Sequence, residues 1–244
     1  MILFIKHIGI EGPETLGEFF ERNGFSVRTV ELQEGEPLPE DSDNLEAVIS
    51  LGGPMNAYEE DKYPFLKGEH EFIKKVIGRK IPFIGICLGS QLLAKACGAK
   101  VERSPAKEVG FFPVRLTSEG KEDPLFSGLT EEIEVFQWHE DMWALPPEAV
   151  LLAFSQRCPH QAFKIGPNAY GLQFHVEITG KTIEGWAEAY FPSEDPSFMG
   201  QKKLMIKEYR RDQDKFHQMA DTIYNNFLRI ISHQRNGMAD RGKL

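Results

Sequence analysis

The chain has 244 residues, of which 41% are hydrophobic and 27% are charged, and its formal net charge is −9. The length suits one sizeable α/β domain, or a domain with an appendage, and the composition is ordinary for a globular protein. The negative charge repels polyanions, and acidic residues dilute the densest basic stretch, at 202–211. We therefore expect no nucleic-acid partner.

The sequence carries little sign of a membrane span, a leader or a disulfide framework. No apolar run approaches the ~20 residues that a membrane-spanning helix needs, and no basic leader with a cleavage site precedes the first apolar run. Three cysteines, an odd number, argue against paired disulfides. We expect a cytoplasmic protein with free thiols and no membrane partner.

The first half of the chain alternates strand-like and helix-like patterns. Apolar runs predict strands and 3.6-residue spacing predicts helices, the strands at 2–9, 25–32, 47–51 and 82–86 and the helices at 13–23, 65–78 and 88–96. The third strand runs into the turn signal Gly52-Gly53-Pro54. Strands and helices that alternate at this spacing predict βαβ units, and so an α/β fold with an open, mostly parallel sheet and helices on both faces.

The second half predicts additional antiparallel strands, at 110–117, 133–139, 149–155, 161–166 and 170–176. A helix is predicted at 179–190, a break at 193–198 and a long helix at 202–233. We divide the chain into a domain at 1–192 and a helical extension at 193–244, packed on or next to that domain. The apolar stripe of the extension predicts packing on its own sheet, and a homodimer or partner interface is the alternative.

The segment GICLGSQ, residues 85–91, places Cys87 between two glycines at a junction of strand and helix. Gly-x-Cys-x-Gly in that position has the form of a nucleophile elbow. The first turn of the helix favours a thiolate, and the free N–H of Leu88 can bind an oxyanion. The alternative is an inert, buried cysteine at a turn, which is how we interpret Cys97 and Cys158.

A nucleophilic thiolate needs a base and a group that orients the base. His175 lies near the end of a predicted strand and two residues before Glu177, so both side chains point to the same side of an extended chain. This spacing predicts a Cys-His-Glu triad. His139, in FQWHED, is the competing base, whereas the other five histidines have no comparable context.

Three motifs, GGP at 52–54, GICLGSQ at 85–91 and GLQFHVE at 171–177, together resemble those of the class I glutamine amidotransferases. The resemblance covers about residues 1–191 and implies a flavodoxin-like fold. The segments SLGGPMNAYEEDKYPFLK, FQWHED and QAFKIG are similar to stand-alone members related to the GMP synthetase glutaminase domain. Plant γ-glutamyl peptidases are similar relatives.

The resemblance implies a role for each matching residue. Cys87 would be the nucleophile, His175 the base and Glu177 its orienter, and the amides of Leu88 and Gly53 would form the oxyanion hole. The substrate pocket would include Gly52, Gln91, Trp138 and His139. The implied reaction hydrolyses the side-chain amide of glutamine through a γ-glutamyl thioester and needs no metal or organic cofactor. The chain contains no recognisable synthetase motif, so the ammonia acceptor would be a separate synthase subunit.

Two positions depart from the family pattern, and the first of them leaves the substrate open. Trp138 stands where the GMP synthetase branch usually has a serine, and Val176 replaces a common proline. Hydrolysis of a γ-glutamyl peptide or conjugate through the same thioester is the alternative function, and a non-catalytic regulatory relative is the second. The pocket around Tyr58, Trp138 and His139 is expected to distinguish the two hydrolytic functions.

Overall fold

A nine-stranded sheet runs through the computed structural model, which describes residues 1–192 and 196–241, with the backbone alone at 196 and 236–241. The strands are β1 (Ile2–Lys6), β2 (Val27–Glu31), β3 (Ala47–Ser50), β4 (Phe83–Ile86), β5 (Val101–Leu116), β6 (Glu132–Trp143), β7 (Val150–Phe154), β8 (Ala162–Ile165) and β9 (Ala169–Leu172). The helices are α1 (Glu14–Arg22), α2 (Phe65–Gly78), α3 (Leu88–Ala96), α4 (Ser118–Glu122), α5 (Gly180–Tyr190) and α6 (Pro196–Arg241).

The sheet has the order β2-β1-β3-β4-β9-β8-β7-β5-β6, and its first five strands pair in parallel. Side chains of β1 alternate between the faces: Phe4 packs with α1, α5 and α6, and Leu3 packs with α2 and α3. Strands buried on both faces read as continuous apolar runs, which is why the sequence reveals them. The predicted α/β class, with helices on both faces and antiparallel additions, is confirmed.

The hairpin of β5 and β6 is longer than predicted. β5 begins at Val101 rather than at 110, and Val101 pairs with Trp143 across the hairpin. The register shifts between Arg103 and Glu108, a stretch that includes Pro105. This stretch is largely polar and exposed, so it lacks the apolar alternation by which a strand is recognised in a sequence.

The strand that leads to His175 is shorter than predicted, because β9 ends at Leu172. Beyond that point the chain leaves β4: the N–H of Gln173 donates to the carbonyl of Gln161 (2.9 Å), and the N–H of His175 donates to that of Phe136 (2.8 Å). His175 thus lies in an irregular segment outside the regular sheet.

The last helix, α6, bends at Asp212, whose φ of −116° is not helical. Its apolar side chains lie in the same core cluster as α1 and α5, and these are Met205, Tyr209, Phe216, Met219, Ala220, Ile223, Tyr224, Phe227 and Ile231. Of the predicted break at 193–198, residues 193–195 lie outside the described residues and the rest is helical. The boundary at 192 and a homodimer stay predictions. None of the described helices combines the length and apolar character needed to cross a bilayer.

Candidate active site

Cys87 stands at the turn between β4 and α3 with a φ of 49° and a ψ of −106°. L-residues rarely adopt a positive φ, so the turn holds the cysteine in a strained conformation. A side chain at Gly89 would overlap the carbonyl oxygen of Ser50, and one at Gly85 would overlap the backbone of Gly89. The two flanking glycines are therefore needed because backbone segments pass directly against them.

The sulfur of Cys87 faces the cavity from a largely buried position. Its Sγ lies 3.7 Å from the carbonyl oxygen of Trp138, and the amide Nε2 of Gln173 approaches it at 3.8 Å. Gln173 stands inside the GLQFHVE motif but is not among the predicted site residues. Among the described residues, the N–H of Leu88 has no acceptor, as expected for the first residue of a helix.

His175 and Glu177 lie side by side behind Cys87, as the spacing predicted. The Nδ1 of His175 is 2.7 Å from Oε1 of Glu177, and the second oxygen of Glu177 accepts the N–H of Val176 (2.9 Å). Burial works to lower the pKa of His175, but the Glu177 carboxylate and the interaction with Cys87 outweigh it and hold the pKa well above its ordinary value. The charged imidazolium is thus favoured beside the sulfur.

Side chains from α1 and α6 hold the irregular segment that carries this pair. The Oγ1 of Thr15 donates to the carbonyl of Glu177 (2.8 Å), and the hydroxyl of Tyr224 donates to that of Val176 (2.8 Å). Thr15 and Tyr224 also contact each other through their hydroxyls at 2.9 Å. Because β9 has already ended, these bonds replace the sheet ladder in fixing the segment.

The turn of Gly52 and Gly53 follows β3 and passes close to the elbow. A side chain at Gly53 would meet Leu88 at 2.9 Å, and no acceptor for the Gly53 amide lies among the described residues. The N–H groups of Gly53 and Leu88, which have no acceptor among the described residues, therefore belong to two residues that contact each other beside Cys87. Gly53 lines the cavity that Cys87 faces, whereas Gly52, in the same turn, does not.

A buried polar network of His7, Ser50 and Glu69 holds the turn of Gly52 and Gly53. None of these three residues is among the predicted site residues. The imidazole of His7 bonds the carbonyl of Gly52 (2.9 Å) and the carboxylate of Glu69 (2.7 Å), and Ser50 donates to the other oxygen of Glu69 (2.6 Å). Burial works to lower the pKa of His7, but Glu69 and the Gly52 carbonyl raise it on balance. The available signal was Glu69 itself, which interrupts the buried apolar stripe of α2.

A second buried carboxylate, on Glu11 in the loop before α1, lines the cavity and was also missed. The hydroxyl of Tyr190 donates to its Oε1 at 2.7 Å. A side chain at Gly52 would overlap Oε2 of Glu11 and lie 3.0 Å from Cε1 of His175, so both of these side chains lie close to Gly52. Burial raises the pKa of Glu11, and the nearby His175 and Tyr190 counter it.

The cavity above Cys87 has a volume of about 330 Å³. Of the predicted site residues it brings together Gly53, Cys87, Leu88, Gln91, Trp138, His139 and His175. The Nε2 of Gln91 approaches the carbonyl of Asp141 and the Oε1 of Gln173, both at 3.4 Å. The indole of Trp138 stacks on Phe191 with ring centroids 5.0 Å apart, so it forms part of an aromatic wall.

His139 reaches the cavity wall, but other groups occupy both of its ring nitrogens. Nδ1 lies 2.9 Å from the carbonyl of Asp141, and Nε2 lies 3.0 Å from Glu108. Glu108, His139 and Cys158 could each offer one metal-ligand atom within 4.8 Å of the others, yet Glu108 already bonds His139 and Gln161. Burial raises the pKa of the Cys158 thiol. His139 is thus engaged in a structural contact rather than facing Cys87.

The remaining predicted discriminator, Tyr58, lies near the rim and is 48% exposed. Burial and the neighbouring Asp141 raise the pKa of its hydroxyl. Asp141 also lies 3.4 Å from a guanidinium nitrogen of Arg103.

Known proteins with similar sequences indicate the family of this chain. The family model of class I glutamine amidotransferases matches residues 14–185. The chain is 35% identical over 185 residues to the glutamine amidotransferase-like protein YfeJ of Salmonella typhimurium, covering 75% of this chain and 77% of that one. It is 34% identical over 137 residues to a subunit of the glutamine-hydrolyzing GMP synthase of Pyrococcus abyssi, covering 55% of this chain and 68% of that one.

Solved structures agree with the sequence matches. A glutamine amidotransferase of Thermotoga maritima superposes with a TM-score of 0.84 at 34% identity, covering 94% of this chain and 97% of that one. Against whole GMP synthases, such as that of Thermosipho africanus, the match spans 25% of the relative's length. A family match over most of the chain, joined to this fold, establishes that the chain belongs to the class I glutamine amidotransferase family.

Proposed function

We propose that the protein hydrolyses the side-chain amide of glutamine through a γ-glutamyl thioester on Cys87. The observation that carries the proposal is the contact of the His175 Nδ1 with Glu177 at 2.7 Å, in an imidazole whose side chain also interacts with Cys87 at the strained elbow. A nucleophile, a base and an orienting carboxylate in this relation are the parts that acyl transfer requires. In this proposal Cys87 is the nucleophile, His175 the acid and base, and Glu177 the orienting group.

Acylation begins with a Cys87 thiolate and a His175 imidazolium. The sulfur attacks the γ-carbonyl carbon of glutamine and forms the C–S bond, and the oxyanion then collapses as the C–N bond breaks. The imidazolium passes its Nε2 proton to the leaving nitrogen, so ammonia departs as a neutral molecule. Glu177 retains its bond to Nδ1 throughout and keeps the ring in the productive orientation.

Deacylation repeats the exchange with water. Neutral His175 takes a proton from the water as its oxygen attacks the thioester carbonyl, and the C–S bond breaks. The products are the γ-carboxylic acid, which ionises to glutamate by releasing its proton to solvent, the Cys87 thiolate and the His175 imidazolium, which restores the starting state. No redox change or organic cofactor enters this sequence of steps.

The free amides of Leu88 and Gly53 would stabilise the oxyanion in both steps. Both amides lie beside Cys87, and neither has an acceptor among the described residues. Loss of one oxyanion donor costs about 3 kcal/mol of transition-state stabilisation. The His7 bond to the Gly52 carbonyl supports this role, because it fixes the peptide that precedes Gly53.

The charges along the Gln91 side of the cavity suit an amino acid zwitterion. Asp141 offers a carboxylate to an α-ammonium group, and Arg103 and Lys107 at the rim offer cations to an α-carboxylate. Gln91 lies between this region and Cys87, with its amide near the Asp141 carbonyl. We assign Gln91 as a wall of the glutamine pocket on this basis.

The fate of ammonia is a further part of the proposal. The Pyrococcus abyssi relative is, by its name, one subunit of a larger GMP synthase. We propose that ammonia passes from this protein to a separate synthase subunit, whose product need not be GMP because Trp138 departs from the GMP synthase pattern. Hydrolysis of a γ-glutamyl conjugate uses the same steps with an amine as the leaving group.

The test measures ammonia and glutamate release from glutamine by the purified protein and by Cys87→Ala. We expect activity in the wild type and none in Cys87→Ala, while Cys97→Ala, a matched loss of a thiol far from the cavity, stays active. Labelling of Cys87 by a glutamine-mimicking alkylator provides a second readout. A wild type that neither hydrolyses glutamine or γ-glutamyl compounds nor reacts with the alkylator contradicts the proposal and supports a non-catalytic relative.

A wild type that reacts with the alkylator but releases no product would point instead to a partner that activates it. The same assay repeated with cell extract resolves that outcome, because an activating partner restores ammonia release and Cys87→Ala stays silent.

A further inference from the structure

The position of the leaving group follows from the proposed roles of Cys87 and His175. The γ-carbonyl oxygen must face the amides of Gly53 and Leu88, and the leaving nitrogen must face the imidazole that donates its proton. The leaving group therefore lies next to the side chains that surround His175, and the rest of the substrate lies along Gln91.

A carboxylate, that of Glu11, lies beside the His175 imidazole on that part of the wall. Oε2 of Glu11 and Cε1 of His175 both lie where a side chain at Gly52 would meet them. Tyr190 donates to the other oxygen, Oε1, and no side chain among the described residues donates to Oε2. The titratable groups that face Glu11 are His7 at the end of β1, His175 and Glu177 after β9, and Tyr190 of α5.

The other walls around the leaving group are aromatic. The Trp138 ring lies 5.9 Å from the ring of Tyr190 and 6.0 Å from that of Trp186. Aromatic faces beside a carboxylate favour amines, including cationic ones. Apart from the two histidines, the basic groups among the described residues of the cavity wall are Arg103 and Lys107, which lie at the rim beside Glu140, on the side that the proposed function gives to the α-carboxylate.

From this arrangement we infer that Glu11 determines leaving-group specificity, admitting ammonia and neutral or cationic amines and rejecting leaving groups that carry a carboxylate. The inference rests on the proposed function and narrows its substrate class. This specificity favours glutamine and γ-glutamyl amines over γ-glutamyl amino acids and peptides, because the amines that the latter release carry a carboxylate.

A leaving-group carboxylate beside the Glu11 carboxylate would be repelled strongly, because a site of reduced dielectric screens like charges poorly. We expect discrimination of about 10-fold to 100-fold in kcat/KM from the repulsion. A neutral group in place of Glu11 would remove it without changing the shape of the pocket.

The test compares γ-glutamylglycine with γ-glutamylglycinamide, which differ at the leaving group by a carboxylate against a carboxamide. In the wild type we expect kcat/KM for the glycinamide to exceed that for γ-glutamylglycine by about 10-fold or more. In Glu11→Gln, which can still accept the Tyr190 hydrogen bond, the ratio should fall towards one through a gain on γ-glutamylglycine. Glu11→Asp keeps the charge and should keep the preference.

A pH series on the wild type gives a readout that does not depend on any variant folding. As pH falls through the raised pKa of Glu11, its carboxyl becomes neutral, and the ratio between the two substrates should shrink. The carboxylate of γ-glutamylglycine stays ionised down to about pH 3.5, and changes at Cys87 and His175 affect both substrates equally.

The outcomes separate this inference from the proposed function. Equal kcat/KM for the two substrates in the wild type, or a ratio unchanged in Glu11→Gln, overturns the inference while hydrolysis through Cys87 stands. A wild type that cleaves neither these compounds nor glutamine overturns both.

Discussion

At the scale of single residues, the site depends on a cysteine whose backbone is strained. A non-glycine residue at a φ of 49° costs on the order of 1–3 kcal/mol. The conformation persists because the Cys87 N–H donates to the carbonyl of Leu172 (2.8 Å) and because Gly89 lets the backbone of Ser50 pass closely. The strained turn places Cys87 at the border of the core, on the wall of the cavity that His175 also lines.

The carboxylate of Glu177 should control the charge of His175 and, through it, the reactivity of Cys87. We expect Glu177→Gln to reduce kcat for glutamine by about 10²–10⁴-fold. Without the carboxylate, the pKa of His175 falls, because burial then dominates, so the imidazolium that stabilises the thiolate is lost at lower pH. Alkylation of Cys87 at a fixed neutral pH should therefore be slower than in the wild type.

The matched control for that experiment is Glu188→Gln, which neutralises an exposed glutamate of α5 bonded to Lys202. Its alkylation rate at the same pH should equal that of the wild type. An unchanged rate in Glu177→Gln would rule out an electrostatic role of this carboxylate on His175.

At the scale of elements, the site is assembled where strand ends meet. β1 contributes His7, β3 leads to Ser50 and the glycine turn, and β4 leads to Cys87, all at the carboxyl edge of the parallel strands. α2 reaches under this edge with Glu69, which bonds both His7 and Ser50. This placement agrees with the general tendency of open α/β sheets to bind ligands at that edge.

The bond of His7 with Glu69 should make stability depend on pH. The folded-state pKa of His7 is raised above its unfolded value of about 6.5, so its contribution is complete below that pH and is lost as pH rises through the folded pKa. Each unit of raised pKa corresponds to about 1.4 kcal/mol. We expect the wild type to lose stability relative to Glu69→Gln as pH rises from about 6.5 through the folded pKa, measured by denaturant unfolding.

Glu71→Gln is the control, because Glu71 lies on the same helix but is exposed. Its unfolding free energy should follow the wild-type pH dependence in parallel. If Glu69→Gln also runs parallel to the wild type, the His7–Glu69 pair makes no contribution that varies with protonation.

At the scale of the whole molecule, α6 belongs to the core that supports the site. It covers the same face of the sheet as α1 and α5, and Phe227 is fully buried. The helix also reaches the site directly, since Tyr224 bonds the carbonyl of Val176 between His175 and Glu177. The C-terminal helix thus stabilises both the fold and the irregular segment that carries His175 and Glu177.

Truncation after residue 192 should therefore abolish folding. Each large apolar side chain of α6 contributes about 1.5–3 kcal/mol on burial, and together these outweigh a typical net stability of about 5–15 kcal/mol. We expect the shortened chain to be insoluble or unfolded by circular dichroism. A soluble, cooperatively folding monomer would show that α6 serves as an interface instead.

Much of the fold was predictable because its local signals are strong. The buried strands β1, β3 and β4 read as continuous apolar runs, and α2 and α3 have the predicted bounds. The exposed part of β5 escaped prediction because hydrogen bonds to β6, rather than side-chain burial, make it a strand. The end of β9 was misplaced because apolar residues continue through Phe174 and Val176 after the pairing with β4 has stopped.

By itself the sequence determined the α/β class, the family resemblance and the order of Cys87, His175 and Glu177, because these depend on local pattern and short spacing. Only the tertiary structure decided that Glu11 lies against His175 and that Glu69 supports His7. Each of those contacts joins residues far apart in the chain, through the crossing of strand ends, loops and helices. Local periodicity carries no information about such crossings, so the polar supports of the site became visible only once the chain was folded.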